Sequence, residues 1–204
     1  MATSPMFPLG SVLLPGMVLP LHVFEPRYRA LVKDCLAADR EFGVTLIERG
    51  SEVGGGDIRA MAGTMAEIVR AEELDDGRWH LVAVGLRRVR VREWAPDDPY
   101  PKAVVEDWPD APAGEGAEEA ARSRTADLRR LLAVAAELGM EAQPLVDISG
   151  DPTEASYQIS ILGPFGALDR QRLLTAPGPS ERLDLLGDLL EEQEVLLRAR
   201  LSDG

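Results

Sequence analysis

Three sets of residues in this 204-residue chain have the chemistry for catalysis, and the surroundings of each argue against it. Cys35 with His22 or His80 would supply a thiolate–imidazole nucleophile pair. Cys35 falls at helical spacing from Leu31 and Val32, however, which places it on an apolar face as an inert buried thiol. Gly54-Gly55-Gly56 is the nearest approach to a phosphate-cradling loop. No Gly-Lys pair occurs anywhere, and the charge of the following Asp57 repels phosphate, so a plain flexible loop from Gly50 to Asp57 is expected. Lys33 and Lys102 are the only lysines; neither lies in a nucleophile motif, and there is no Gly-x-Ser-x-Gly elbow. One cysteine excludes an intramolecular disulfide and a cysteine-cluster zinc site, and two histidines argue against a histidine-rich metal site. The expectation is no catalytic residue, no cofactor and no metal.

Binding chemistry is better represented. Arg87, Arg88, Arg90 and Arg92 offer an anion or RNA contact, or else a solvated face neutralised by acids such as Glu93 and Glu67. With 35 acidic residues against 22 Lys plus Arg, net charge −13, the solvated face is the leading reading. The same charge argues against generic binding to nucleic acid or to an anionic membrane. In Glu25-Pro26-Arg27-Tyr28, Pro26 fits the first position of a helix. Arg27 and Arg29 then stand in a first turn whose dipole disfavours cations, so carboxylates from another element are expected to hold them. Structural pairing of Glu25, Arg27 and Arg29 leads; ligand contact is the alternative.

The elements that must position these residues divide near residue 109. Before it, Val12–Leu14, Met17–Phe24, Phe42–Glu48, Thr64–Ala71, Trp79–Trp94 and Lys102–Trp108 read as about six strands, with Asp76-Gly77 as a hairpin turn. One helix after Pro26 buries Tyr28, Leu31, Val32, Cys35 and Leu36. In the long strand, Val82, Val84 and Leu86 are even while Val89 and Val91 are odd. A β-bulge near Gly85–Arg88 would switch the buried parity in this way. Many short strands and such a switch predict a small closed or half-closed barrel.

After residue 109 the pattern is helical. Glu118–Leu138 places Leu128, Leu131, Leu132, Ala135 and Leu138 on one side. Asp151-Pro152-Thr153-Glu154 is a cap with Pro at the first helical position, opening a helix to about Leu162. Leu168–Leu174 and Glu181–Leu201 follow, the last with Leu183, Leu186, Leu190 and Leu197 as its stripe. The reading is residues 1–108 as a β subdomain, 109–117 as a Pro/Gly-rich linker, and 118–204 as a helical subdomain. Residues 1–108 carry 17 acidic and 13 basic side chains and residues 109–204 carry 18 and 9, so the acidic excess sits on the helical part. The apolar stretch Val12–Phe24 is interrupted by Pro15, Gly16 and Pro20 and lacks a basic start, so neither a signal peptide nor a membrane span is expected. A cytoplasmic protein is the default.

The runs MFPLGSVLLPGMVLPLHVFEPRYRALV, REFGVTLIERGSEVGG and AVGLRRVRV resemble the N-terminal substrate-binding domain of the Lon protease, in its stand-alone form. ASYQISILGPFGALDRQRLLTAPGPSERLDLLGDLLEEQEVLL is similar to the helical part of the same domain. The resemblance implies an α+β fold: a PUA-like β-barrel subdomain with one packed helix, followed by a C-terminal α-helical bundle. It implies a non-catalytic module, lacking the ATPase and Ser–Lys peptidase parts, that binds unfolded or tagged polypeptide as an adaptor or holder. Its partners would be polypeptide clients or a protease or chaperone system. The alternative is a PUA-like module for a small molecule or RNA. A peptide binder needs an exposed apolar groove, expected between barrel and bundle. Met17, Phe24, Tyr28, Trp79, Tyr157 and Phe165 are the candidates to line it.

Overall fold

β-Branched and aromatic residues build the first half of the chain, and Leu-rich and Ala-rich helices the second. A computed structural model describes residues 3–50, 52 and 56–202. The chain divides into two compact units, Met1–Pro109 and Asp110–Gly204.

The first unit runs β1 (Ser4–Leu9), β2 (Val18–Val23), α1 (Pro26–Ala37), β3 (Glu41–Arg49), β4 (Ile58–Glu73), β5 (Trp79–Ala95) and β6 (Lys102–Asp107). The sheet order is β2-β5-β4-β3-β1-β6, and β5 also pairs with β6. Only β1 and β3 run parallel among the described residues. Among the described residues β2 pairs with β5 alone and so forms an edge. The Met17 carbonyl accepts from Gly85 N–H. Antiparallel alternation then directs the backbone groups of residues 19, 21 and 23 toward β5 and those of Val18, Pro20 and His22 outward. Pro20, which has no N–H to donate, therefore sits where an edge strand tolerates it.

Val12–Leu14 is not a strand. All three residues are buried in an irregular segment. The Leu13 carbonyl accepts the Thr64 hydroxyl at 2.6 Å, and Leu14 O closes a turn with Met17 N at 3.0 Å. Their carbonyls are spent on a side chain and a turn, not on a ladder. The first strand is instead Ser4–Leu9, hidden in the sequence by Pro5 and Pro8. β6 covers only Ser4 and Pro5, so no ladder on that flank of β1 requires the N–H that Pro8 lacks.

The bulge in β5 is at Leu86: Met65 pairs with Arg87 and Ala66 with Gly85. The buried residues before it are Trp79, Leu81 and Ala83, however, while Val82 and Val84 are half-buried and Leu86 is exposed. The even valines were misleading because β5 has an apolar outer face as well as an inner one. Beyond the bulge, Val91 packs with Met6 and Ala103 in a second, smaller cluster. The main cluster joins Phe7, Tyr28, Leu31, Val32, Cys35, Phe42, Ile68 and Trp79. Asp75, Asp76 and Gly77 turn β4 into β5, with Gly77 at φ 77°.

The second unit holds α2 (Ala117–Glu137), α3 (Pro152–Leu162), α4 (Ala167–Thr175) and α5 (Pro179–Ser202). Asp151 caps α3 by accepting from the N–H groups of Thr153 and Glu154, both at 2.9 Å. Leu128 and Leu131 of α2 and Leu183, Leu186, Leu190 and Leu197 of α5 form its core with Ile159 and Leu173. Leu196, beside the stripe, is exposed.

Candidate functional site

The free edge of β2 borders a groove of 240 Å³. Phe7 and Leu9 of β1, Leu21 of β2, and Phe24 and Tyr28 around the start of α1 give it an apolar lining, with Glu25 and Glu52 at its margin. Phe7 and Tyr28 stack at 4.0 Å between ring centroids and 10° between planes, fixing its wall. Phe24 is different: it follows the last residue of β2 and stays 51% exposed. Helix α1 starts where it does because Pro26 occupies its first turn.

The cations of that turn are accounted for. Arg27 Nε donates to Glu25 at 3.1 Å, its Nη2 donates to the Glu52 carbonyl at 3.0 Å, and its guanidinium lies 4.5 Å from the Tyr28 ring centroid. Its carboxylate thus comes from two residues earlier, at the helix N-cap, and not from another element. Burial pushes the Tyr28 hydroxyl up to about 12, against the opposing charge of Arg27, so it stays a neutral donor. The Arg29 guanidinium packs where a side chain at Gly77 would stand. Glu52 accepts the Gly10 N–H at 2.5 Å.

The structure brings Phe24 and Tyr28 together on the groove. Met17 is half-buried against the main cluster of the first unit, and Trp79 is buried within it. Tyr157 and Phe165 are buried in the second unit. Tyr157 donates to Asp110 at 2.9 Å, and Phe165 joins the helical core. Phe7, Leu9, Leu21 and Glu52 were not legible as groove residues. Strand β1 looked broken by prolines, and the alternation of β2 does not reveal which face meets a neighbour.

The arginine cluster is neutralised by acids other than those expected. Arg87 pairs with Glu41 of β3 and Asp107 of β6, both at 2.8 Å, and Arg92 pairs with Glu106. Arg88 is buried and, with Arg90, packs against the Trp108 ring, at 4.6 and 3.8 Å. Strand pairing brings β6 beside β5 and sets β3 one strand away across β4, which outweighs closeness in sequence to Glu93. Asp57 is bound to Arg59 at 2.6 Å, while Gly54 and Gly55 of the glycine run lie outside the described residues. Burial alone would raise the Asp57 carboxyl. The Arg59 hydrogen bond, a backbone hydrogen bond and the charges of Arg59 and Arg27 outweigh it and hold the group below the ordinary carboxylate range.

The thiol is no nucleophile. Cys35 is 1% exposed and donates to the Glu41 carbonyl at 3.3 Å. Burial, with Asp39 and Asp34 nearby, pushes it up to about 12. The native chain should therefore leave a thiol-specific disulfide reagent unconsumed at pH 8, and urea should release one thiol per chain. Stoichiometric reaction within seconds in the folded state would contradict this. Among the described residues, no three His, Cys, Asp or Glu side chains stand together as metal ligands, and no helix is long and apolar enough to cross a membrane.

Residues 3–192 match the family model of the ATP-dependent protease La (LON) substrate-binding domain. The chain is 32% identical over 199 residues to Lon protease 2 of Myxococcus xanthus, covering 95% of this chain and 24% of that protein. It therefore spans about a quarter of the length of such relatives, and what matches is the N-terminal substrate-binding domain and not their protease or ATPase parts. The crystal structure of a Lon N-terminal domain protein from Xanthomonas campestris is similar at TM-score 0.65 and 28% identity, covering 91% of this chain and 97% of that one. The N-terminal domain of the Mycobacterium avium complex Lon protease shares the fold at TM-score 0.70 and 19% identity, over 93% and 98% of the two chains.

Proposed function

The chain belongs to the LON substrate-binding domain family, and from that premise we propose that it captures unfolded or tagged polypeptide segments without chemistry of its own, as a cytoplasmic adaptor or holder. The strand pairings that return from β6 to β5 support reading the first unit as a PUA-like barrel, and α2–α5 as a helical bundle. The observation that carries the reading is Phe24, a large apolar side chain left half in water at the mouth of an apolar groove. Exposed apolar surface of this kind, with acidic groups at its rim, suits an extended segment bearing apolar and basic residues. Glu52 supplies that rim, while Glu25 beside it is already paired with Arg27.

The direct test is binding of labelled extended peptides to the chain, with loss of binding on changing Phe24. A second test addresses the absence of chemistry. The purified chain should hydrolyse neither ATP nor casein, because it has no Gly-Lys phosphate loop and no Ser–Lys dyad motif. ATP turnover above a buffer blank, abolished by a point substitution in this chain, would refute it. RNA is the less favoured ligand: Arg87 and Arg92 are already paired, and the chain carries −13.

A further inference from the structure

Strand pairing leaves one flank of the sheet open. β6 pairs with both β1 and β5, whereas the only described neighbour of β2 is β5. On the outward side of β2, Val18 and His22 each offer an N–H and a carbonyl, and Pro20 offers a carbonyl alone. Among the described residues no backbone group meets them. Natural edges are commonly guarded by charged side chains, and β2, VLPLHV, carries no Asp, Glu, Lys or Arg. A depression lies on each face of the sheet beside this edge, and Pro20, Leu21 and His22 border both. Leu19, Leu21 and Val23 are opposite the buried Ala83, Leu81 and Trp79, so their parity faces the core and the apolar groove of Phe7, Leu9 and Tyr28. Pro20 and His22 are opposite Val82 and His80 and face outward, onto a depression of 510 Å³ that Arg70 and Glu72 also line.

We propose that polypeptide docks as an added antiparallel strand on β2, and that the segments taken are those in which apolar and polar residues alternate. The inference rests on the polypeptide-binding reading above and gives it a mode and a substrate class. Main-chain hydrogen bonds to Val18, Pro20 and His22 hold any extended chain, and the two depressions select its side chains. Client residues opposite Val18, Pro20 and His22 exchange those bonds and turn their side chains to the outer face, toward imidazoles, a guanidinium and a carboxylate. The residues between them turn their N–H groups away from β2 and place their side chains in the apolar groove, beside Phe24. Strict alternation of this kind marks the half-buried strands that a client exposes on unfolding. A second copy of the chain is the poorer occupant. Pairing β2 along its whole length with its own copy sets Pro20 opposite Pro20, two carbonyls with no N–H between them.

The test uses the full chain and a labelled peptide of alternating valine and serine with lysine at both ends. Valine enters the groove, so the serine N–H groups bond to β2. N-methylation of every serine should weaken binding about tenfold or more, because several backbone bonds are lost together. N-methylation of every valine should leave affinity little changed, and a peptide of the same composition without alternation should bind more weakly than the parent. Hydrogen exchange gives the view from the protein: the Val18 and His22 amides should slow when the alternating peptide binds, while the Leu21 amide, already directed at β5, should not change. Equal losses in the two methylated series, or the larger loss in the valine series, would overturn antiparallel strand addition and leave polypeptide capture standing. Slow exchange of Val18 and His22 in a peptide-free dimer would assign the edge to a second copy instead. Failure of the alternating peptide alone, where a non-alternating basic apolar peptide binds, would overturn the substrate class; failure of both would overturn the reading on which it rests.

Discussion

Arg182→Ala should lower the stability of the second unit by about 3–5 kcal/mol, the cost of breaking a buried ion pair from one side. Arg182 is fully buried in α5. Its Nε donates to the Leu173 carbonyl at 3.0 Å and its Nη1 to the Ser156 hydroxyl at 2.9 Å. Its Nη2 donates to Asp110 at 2.5 Å and to the Tyr157 hydroxyl at 3.0 Å. The guanidinium also lies 3.9 Å from the Tyr157 ring centroid. One side chain therefore ties the segment entering the unit to α3, α4 and α5. Small domains have only ~5–15 kcal/mol in total, so this loss is a large fraction. Arg182→Lys should restore little, because an ammonium cannot supply the planar fork of donors. Urea unfolding monitored by circular dichroism measures the effect. A midpoint within error of the parent chain would show that the network contributes nothing net.

Phe24→Asp should weaken capture of a basic, apolar peptide by about three- to tenfold while the chain stays folded at the assay temperature. Burying a phenylalanine contributes ~1.5–3 kcal/mol, and 1.4 kcal/mol is a factor of ten. In the free chain Phe24 is 51% exposed, so about half of that contribution has not been spent on folding. The wall behind it, Phe7 stacked on Tyr28, stays in place. Equal peptide affinity in the variant would remove the groove as the seat of binding.

Elements with one clear period were legible from the residues. Pro26 and the spacing of Tyr28, Leu31, Val32 and Cys35 announce α1, and Asp151-Pro152 announces α3 with its cap. Elements whose signals conflict were not. Pro5 and Pro8 hide β1, because a strand's tolerance of proline depends on which flank carries a ladder. The outer row of half-buried Val82 and Val84 and exposed Leu86 imitates a core face, since burial is decided by neighbouring strands and not by hydropathy. The site shows the same division. Phe24 and Tyr28 were accessible through their types, whereas Phe7, Leu9 and Glu52 join them only through the path of the chain. The contact between His22 and His80 follows from the register of β2 on β5, which sequence spacing does not specify.

Fluorescence anisotropy with three labelled probes, a basic apolar peptide, an acidic peptide and a short RNA, tests polypeptide capture most directly. An unfolded segment loses chain entropy on docking, so affinity for the basic apolar peptide should be roughly micromolar or weaker. It should exceed affinity for the acidic peptide, fall as salt rises, and leave the RNA unbound, as a chain of net charge −13 requires. Preference for the RNA, or no binding of any probe alongside tight capture of a metabolite, would contradict polypeptide recognition and favour a PUA-like module for nucleic acid or a small molecule.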